Sequence, residues 1–285
     1  MTQSLNYIEA KFVLEPLDPT REILMAELAE TGFESFEFTE NGLTGWIPSD
    51  QFTPESLQEV IDKYAHLFSI ACEHAPVQPV NWNEEWEKHY EPVVINNQCS
   101  IRAPFHAPRH DLPFDLVIEP KMSFGTAHHD TTALMIQWIL EMDITGLHVL
   151  DMGCGTGVLG ILAAQKGAAK VIAIDNYIWA CENTRENCER NRVNNMITVH
   201  GDADALKEIN KPFDLVLANI NRNVILEDMK AYTDSLVPGG TILFSGFLAD
   251  DAHLIRKEAL QHHLRFDGEK LQNQWVSQKF LKEKQ

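Results

Sequence analysis

The segment from His148 to Asp175, HVLDMGCGTGVLGILAAQKGAAKVIAID, decides how this chain is interpreted. It predicts a buried strand, a glycine-rich turn, a helix and a second buried strand that ends in an acid, which together form one βαβ unit. Glycines in the turn lack a Cβ, so a nucleotide-like ligand can approach the bare backbone. The terminal acid lies where a ribose would be expected. The unit therefore predicts a site for an adenosine-type cofactor.

Outward from this unit, strand and helix signals alternate along the C-terminal part of the chain. Predicted strands cover Val149–Met152, Val171–Asp175, Ile197–Gly201, Leu215–Ile220 and Thr241–Phe247, and the tail from Leu264 to Leu281 offers two more. A helix is predicted from about Ala133 to Met142, and Pro238-Gly239-Gly240 is predicted as the turn before the fifth strand. Such alternation indicates an α/β domain, Rossmann-like, with a mostly parallel seven-stranded sheet over residues 92–285.

The N-terminal part has a different pattern. Strand, helix, strand, strand, helix and strand are predicted at Tyr7–Leu14, Thr20–Glu30, Glu34–Phe38, Gly42–Pro48, Pro54–His66 and Phe68–Val77. The order βαββαβ predicts a small ferredoxin-like α+β domain over residues 1–79. A linker helix is predicted over residues 80–91, with Trp82, Trp86 and Tyr90 four apart. Core packing against one domain is the favoured interpretation of that stripe, and substrate contact is the alternative.

The amino-acid composition indicates where in the cell the protein is expected to be found and which kinds of partner it is expected to bind. No apolar run approaches the roughly 18 residues of a membrane helix, and no signal peptide is evident. The five cysteines are scattered without a CxxC spacing, which fits a cytoplasmic protein without disulfides. A formal net charge of −19 disfavours direct nucleic-acid contact and suits a basic protein partner, although simple solubility would also explain it. His128 and His129 have no third ligand at suitable spacing, so no metal site is predicted.

The residues of the glycine turn are the first candidate ligand contacts. Gly153 and Gly155 follow the first strand, and Gly155-x-Gly157-x-x-Gly160 matches the dinucleotide fingerprint, which leaves NAD binding open. Asp175 stands about twenty residues further on, where an acid is expected to accept the ribose hydroxyls. The alternative for Asp175 is a cap for the helix that follows.

Later strands add further candidates. Asn219 ends the fourth strand of the alternating series, beside the expected crevice, although an Asn there could also form a turn. Asp202 follows the third strand and is interpreted equally well as an adenine contact or as a helix cap. Thr131 or Thr132 is expected to cap the helix before the βαβ unit.

Four motifs carry a resemblance to a known family. The loop SFGTAHHDTT at Ser123–Thr132, the turn DMGCGTG, the strand end LANI and the segment GFESFEF at Gly32–Phe38 resemble bacterial methyltransferases that modify large-subunit ribosomal protein eleven, the stalk-base protein. The resemblance covers nearly the whole chain. It implies an N-terminal domain that recognises the ribosomal protein, a linker helix, and a class I methyltransferase domain that binds S-adenosyl-L-methionine.

The resemblance also implies site residues. The family's cofactor contacts match Thr132, Gly153, Asp175 and Asn219, and Gly155 lies in the same turn. Two departures are visible. Ala127 stands where the family usually has glycine, and the segment 221–223, Asn-Arg-Asn, replaces small apolar residues after ANI.

The activity implied is transfer of methyl groups to lysine ε-amines and an N-terminal α-amine of that ribosomal protein. No side chain is a convincing dedicated base, so no catalytic residue is assigned, and Asn219 is expected to orient the amine. The alternatives are a methyltransferase acting on RNA or a small molecule, an NAD-dependent oxidoreductase, and a non-catalytic S-adenosylmethionine-binding factor in ribosome assembly.

Overall fold

A computed structural model describes residues 6–77, 90–119, 121, 125, 127–209 and 211–284. Contacts between Cα atoms divide the chain into two compact units, Met1–Lys88 and His89–Gln285. The predicted linker helix over 80–91 falls almost entirely on residues 78–89, outside the described part. That helix and the predicted boundaries at its two ends therefore stay predictions.

The N-terminal unit is an antiparallel sheet with two helices. Its elements are β1 (Tyr7–Glu15), α1 (Thr20–Glu30), β2 (Ser35–Thr39), β3 (Gly42–Pro48), α2 (Pro54–Tyr64) and β4 (Ser69–Pro76). The sheet order is β2-β3-β1-β4, and every neighbouring pair is antiparallel. The order of elements is the one predicted. The hydroxyl of Thr53 accepts the N–H of Ser56 and so caps α2, with Pro54 at the first helical position.

The C-terminal unit contains two sheets. A three-stranded sheet consists of β5 (Val93–Ile95), β6 (Cys99–Arg102) and β7 (Phe114–Val117). The larger sheet and its helices comprise α3 (Asp130–Glu141), β8 (His148–Met152), α4 (Val158–Gln165), β9 (Lys170–Asp175), α5 (Ile178–Arg190), β10 (Met196–His200), β11 (Phe213–Asn219), α6 (Arg222–Ser235), β12 (Leu236–Leu248), α7 (Ala252–Gln261), β13 (Leu264–Gln272) and β14 (Trp275–Lys282). Short 3₁₀ helices lie at Ala203–Glu208 and Ala249–Asp251.

The larger sheet has the order β10-β9-β8-β11-β12-β14-β13. The pairings from β10 to β12 are parallel, and β14 runs antiparallel to both of its neighbours. The prediction of a mostly parallel seven-stranded sheet is therefore confirmed. Strand order reverses between β8 and β11, and in such sheets the crevice outside the strands' carboxyl ends is where ligands bind.

Strand periodicity explains why both faces of this sheet are covered. Val149 and Leu215 belong to one apolar cluster, while their chain neighbours Leu150 and Val216 belong to another. Successive side chains of a strand point to opposite faces, so each strand contributes to both clusters. Helices α3 and α4 pack in the first cluster, and α6 and α7 in the second.

Two predicted elements begin three or more residues earlier than expected. Helix α3 begins at Asp130 rather than near Ala133, because His129 provides its cap. Strand β12 begins at Leu236, so the segment Pro238-Gly239-Gly240 lies within its bounds. The pairing of β12 with β11 shifts register between Phe213 and Leu215, and such an irregularity accommodates extra residues without ending the strand.

All five cysteines are free thiols, and four of them are buried. Cys181 and Cys188 lie in α5, where they pack as small apolar residues. No helix within the described ranges is long and apolar enough to span a membrane.

Candidate active site

A cavity of about 520 Å³ opens at the carboxyl end of the larger sheet. The turn after β8 contributes Gly153 and Gly155 to its wall, and β9 contributes Asp175. Asn219 lies at the end of β11. The site residues predicted from sequence are thus brought together, with Thr132 joined to the group through Asn219.

The glycine turn requires glycine for both conformation and space. Gly153, Gly155 and Gly157 have φ values of +68°, +55° and +79°, in the left-handed region that side chains disfavour. A Cβ on Gly153 would lie 2.3 Å from Cγ2 of Ile220. The backbone of β8 therefore passes close to the loop after β11, and this close approach shapes the cavity floor.

Asp175 is held by backbone donors on both carboxylate oxygens. It is only 7% exposed; Oδ2 accepts the N–H of Gly155 at 2.9 Å, and Oδ1 accepts the N–H of Tyr177 at 3.0 Å. The carboxylate thus stabilises the glycine turn and also satisfies a donor just before α5. Because a carboxylate oxygen can accept two hydrogen bonds, acceptor capacity remains on both oxygens.

Asn219 and Thr132 are paired across the cavity wall. Thr132 is fully buried in the first turn of α3, and its Oγ1 accepts from Nδ2 of Asn219 at 3.2 Å. The other amide atom of Asn219, Oδ1, is buried and has no hydrogen-bond partner among the described residues. Because Asn219 also lines the cavity, this acceptor is placed where a donor in the cavity could reach it.

His129, not Thr131 or Thr132, caps α3. Its Nδ1 accepts the N–H of Thr131 at 3.3 Å, and both threonines lie inside the helix because α3 begins at Asp130. Histidine is not among the preferred capping residues, which is why the sequence does not indicate it. The ring of His129 contacts the ring of Trp275 with centroids 4.6 Å apart.

The remaining wall contains residues that sequence reasoning missed. Tyr177 and Trp179 are stacked at 5.1 Å, line the cavity and remain 56% and 44% exposed. Their only sequence signal is that two aromatic residues stand two and four positions after Asp175. Asp228 of α6 and Trp275 of β14 also line the cavity, and only the fold brings them there. Asp202, by contrast, is a candidate from sequence, either as an adenine contact or as a helix cap; it caps the 3₁₀ helix through the N–H of Asp204 at 2.9 Å and also lines the cavity.

Burial changes the ionisation of acids near the site. Asp151, which is 1% exposed, accepts the N–H of Gly160 at 2.9 Å, and burial raises the pKa of its carboxyl to about 7. Burial also raises the pKa of Asp228 above its ordinary value. Across the part of the chain that the structure describes, no three His, Cys, Asp or Glu residues are grouped as a metal site would need.

The strand order, the glycine turn after β8 and the acid that ends β9 define a class I methyltransferase fold. A sequence profile of the ribosomal protein L11 methyltransferases matches residues 23–283. The chain belongs to the ribosomal protein L11 methyltransferase family.

Individual relatives agree with this assignment. The chain is 42% identical over 266 residues to a ribosomal protein L11 methyltransferase of Porphyromonas gingivalis, which covers 93% of this chain and 91% of the relative. It is 41% identical over 280 residues to that of Bacteroides fragilis, covering 97% and 100%. A crystal structure of the ribosomal protein L11 methylase from Lactobacillus delbrueckii subsp. bulgaricus superimposes with a TM-score of 0.63 at 22% identity, covering 68% of this chain and all of that chain. That structure supports the fold.

Proposed function

We propose that this protein transfers methyl groups from S-adenosylmethionine to amines of ribosomal protein L11, namely lysine ε-amines and the N-terminal α-amine. The observation that carries the proposal is the pairing of Asn219 with Thr132 beside the Asp175-anchored glycine turn, in a chain of this family. The relatives named above are named as methyltransferases of ribosomal protein L11, which supports the acceptor protein.

The described residues fit this cofactor. Asp175 retains acceptor capacity on both oxygens for a ribose diol, and Gly153 and Gly155 offer bare backbone beside it. Asn219, oriented by the buried Thr132, would contact the opposite end of the cofactor, toward β11. When bound, S-adenosylmethionine supplies an electrophilic methyl group on a sulfonium.

The chain's own contribution to the reaction is mainly positioning. A lysine amine has an ordinary pKa of about 10.4, and only the neutral amine has a lone pair, so a partly dry cavity favours the reactive form. Oδ1 of Asn219 would accept an N–H of that amine and thereby orient the lone pair. Correct positioning of two reactants can contribute roughly 7–11 kcal/mol.

His129 is not suited to act as the base. Its Nδ1 already accepts the N–H of Thr131, so the neutral ring carries its proton on Nε2 and has no second lone pair to present to the cavity. No dedicated base is therefore assigned, and a proton released by the amine passes to water.

Charge supports a basic partner for the N-terminal unit. Residues 1–77 contain fourteen Asp and Glu against three Lys and Arg, so they carry −11 of the formal net charge of −19. A surface of that sign attracts a basic protein and raises its rate of encounter. We therefore assign recognition of the ribosomal protein to this unit, and the methyl transfer to the other.

The test is transfer of labelled methyl groups from S-adenosylmethionine to purified L11, to the other ribosomal proteins and to ribosomal RNA. We expect label in L11, on lysines and the N-terminal amine when peptides are analysed by mass spectrometry. Label in RNA instead of protein would contradict the proposed acceptor. Cofactor binding without transfer to any acceptor would contradict the proposed activity and favour a non-catalytic assembly factor.

A further inference from the structure

Helix α5 carries a buried polar stripe, although Asn and Thr are mostly exposed in proteins. Asn183, Thr184 and Asn187 are at most 1% exposed, and Asn191 follows at the end of the helix. Residues three or four apart lie on one face of a helix, so these side chains share a direction. Burying an amide or a hydroxyl is costly unless the group is hydrogen-bonded, so the partners of this stripe show what it holds.

One set of partners belongs to the glycine turn. Oγ1 of Thr184 donates to the carbonyl of Gly155 at 2.9 Å. Nδ2 of Asn187 donates to the carbonyl of the next residue, Thr156, at 3.0 Å. Two consecutive carbonyls of the turn are thus fixed from α5, in addition to the bond from the N–H of Gly155 to Asp175. The conformation of the turn therefore depends on α5 as well as on its glycines.

The same amide of Asn187 also holds the segment that follows β7. Its Oδ1 accepts the N–H of Glu119 at 3.0 Å, so one side chain bridges two distant parts of the chain. Thr156 reaches the stretch before α3 a second time, because its Oγ1 donates to the carbonyl of Gly125 at 2.7 Å. A Cβ added to Gly125 would lie only 2.8 Å from that Oγ1. The glycine turn is therefore packed tightly against this stretch.

We propose that Asn187 is a positioning residue for the cofactor: its amide ties the glycine turn to the chain at Glu119 and so holds the turn in the conformation that binds S-adenosylmethionine. Asn187 is fully buried and is not among the described residues that line the cavity, so it acts through Thr156. The inference rests on the proposed function and adds to it a residue outside the cavity wall.

Asn191 provides a matched comparison with Asn187. It lies four residues further on; its Oδ1 accepts the N–H of Val117 at 2.8 Å, and its Nδ2 donates to the carbonyl of Val117 at 2.7 Å. Nδ2 also donates to the backbone carbonyl of Asn187 at 2.8 Å. Both asparagines thus join α5 to the region of β7, but of the two side chains the one that bonds to the glycine turn is Asn187. Loss of stability and loss of cofactor affinity can therefore be separated.

Asn187→Asp tests the proposal with a change that pH can reverse. A protonated carboxyl has one O–H donor and a free acceptor oxygen, so it can reproduce both bonds of the amide. The ionised carboxylate only accepts, and it would face the carbonyl of Thr156. Since burial favours the protonated form, we expect S-adenosylhomocysteine to bind Asn187→Asp normally at about pH 5 and about 3- to 30-fold more weakly at about pH 8.

The measurement is calorimetric titration with S-adenosylhomocysteine, expressed at each pH as a ratio to the unsubstituted protein. The ratio is needed because burial raises the pKa of Asp151 to about 7 in both proteins. Asn191→Asp is the control: its melting temperature should fall at the higher pH, while its affinity stays within about twofold of the unsubstituted protein. In methyl transfer to L11 at the higher pH, the KM for S-adenosylmethionine should rise in Asn187→Asp and stay unchanged in Asn191→Asp.

Amide hydrogen exchange tests the same link without any substitution. We expect saturation with S-adenosylhomocysteine to slow exchange of the Glu119 N–H about tenfold, because its acceptor Asn187 is held by the ligand-bound turn. Exchange of the Val117 N–H, whose acceptor is Asn191, should slow by less than about threefold. If Asn187→Asp does not fold, this comparison decides the matter.

The positioning role would be overturned by equal weakening in Asn187→Asp and Asn191→Asp, by no weakening at the higher pH, or by weakening that the lower pH does not reverse. Exchange at Glu119 that is unchanged by the ligand would overturn it as well. Failure of the unsubstituted protein to methylate L11, with binding of S-adenosylhomocysteine intact, would reject the proposed function. The affinity ratios test Asn187 whichever acceptor the protein methylates, so the two failures are distinguishable.

Discussion

The side-chain amide of Asn219 donates from Nδ2 to Oγ1 of Thr132 over 3.2 Å, although the two residues are 87 positions apart in the chain. This bond joins the end of β11 to the first turn of α3. It also sets the orientation of the amide, because the nitrogen is committed to Thr132 and the oxygen is left for another donor. At the end of β11 the cavity wall thus presents an amide acceptor in a defined place.

Thr132→Val tests that relationship. The substitution keeps the shape and removes the hydroxyl, so Asn219 loses its partner and the amide is free to rotate. We expect a loss of about 1 kcal/mol in the free energy of unfolding and a fall of about tenfold in kcat for methyl transfer. Thr233→Val is the control, since its hydroxyl bonds to the carbonyl of Met229 away from the cavity. It should cost similar stability, and an equal loss of kcat there would contradict the assignment.

The architecture of both units can be predicted because their strands have strong local patterns. Continuous apolar runs such as Val171–Ile174 indicate strands buried on both faces, and turns such as Glu40-Asn41-Gly42 separate the shorter strands. Element ends are harder to predict. The sequence places the start of α3 near Ala133 because His129 is an unusual cap, and the start of β12 too late because a Pro-Gly-Gly segment suggests a turn.

The residues of the site also fall into those that local sequence predicts and those that only the tertiary structure brings together. Gly153, Gly155 and Asp175 stand in one βαβ unit, so their meeting follows from local sequence. Trp275, by contrast, reaches the cavity only because β14 inserts between β12 and β13, a pairing that no local pattern specifies. The orientation of Asn219 likewise depends on a partner on a distant helix.

Asp175→Asn tests the ribose anchor. The amide can accept only through its single oxygen, so either Gly155 or Tyr177 loses its acceptor and the charge toward the ligand is lost. A hydrogen bond to a charged group contributes about 1.5–3 kcal/mol, so binding of S-adenosylhomocysteine should weaken roughly 10- to 100-fold in calorimetry. Asp202→Asn keeps an acceptor for the N–H of Asp204 and should change the affinity by less than about threefold. Unchanged affinity in Asp175→Asn would remove the anchor role.

Gly153→Ala separates backbone strain from crowding. The added Cβ would meet Ile220 at 2.3 Å, whereas a Cβ added to Gly146, which has a similar φ of +79°, would meet no atom within 4 Å. Left-handed strain alone costs about 1–2 kcal/mol, so Gly146→Ala should lose only that amount. We expect Gly153→Ala to lose more, in denaturant unfolding, and to bind S-adenosylhomocysteine poorly. Equal losses in the two variants would show that the contact with Ile220 does not constrain the turn.

Asp151 should make the free energy of unfolding depend on pH, in a direction that follows from its pKa. Burial raises its folded-state pKa to about 7, while an unfolded Asp has a pKa of about 3.9. The folded state therefore retains a proton that the unfolded state releases, and this group's contribution to stability falls as pH rises from about 4 to 7. The full effect is on the order of 4 kcal/mol.

Asp151→Asn should flatten that slope, because an amide does not titrate and can still accept the N–H of Gly160. The measurement is the free energy of unfolding at a series of pH values. Asp143→Asn serves as the control, since hydrogen bonds from Thr145 lower the pKa of Asp143 and its titration ends below this window. An unaltered slope in Asp151→Asn would show that another group is responsible.

The central claim is that the cavity over the glycine turn holds S-adenosylmethionine with its ribose on Asp175. Calorimetric titration of the purified protein with S-adenosylmethionine and S-adenosylhomocysteine tests it most directly. We predict one site per chain for either ligand, greatly weakened in Asp175→Ala, and no uptake of NAD. Tight binding of the dinucleotide, with no binding of either adenosyl ligand, would contradict the account.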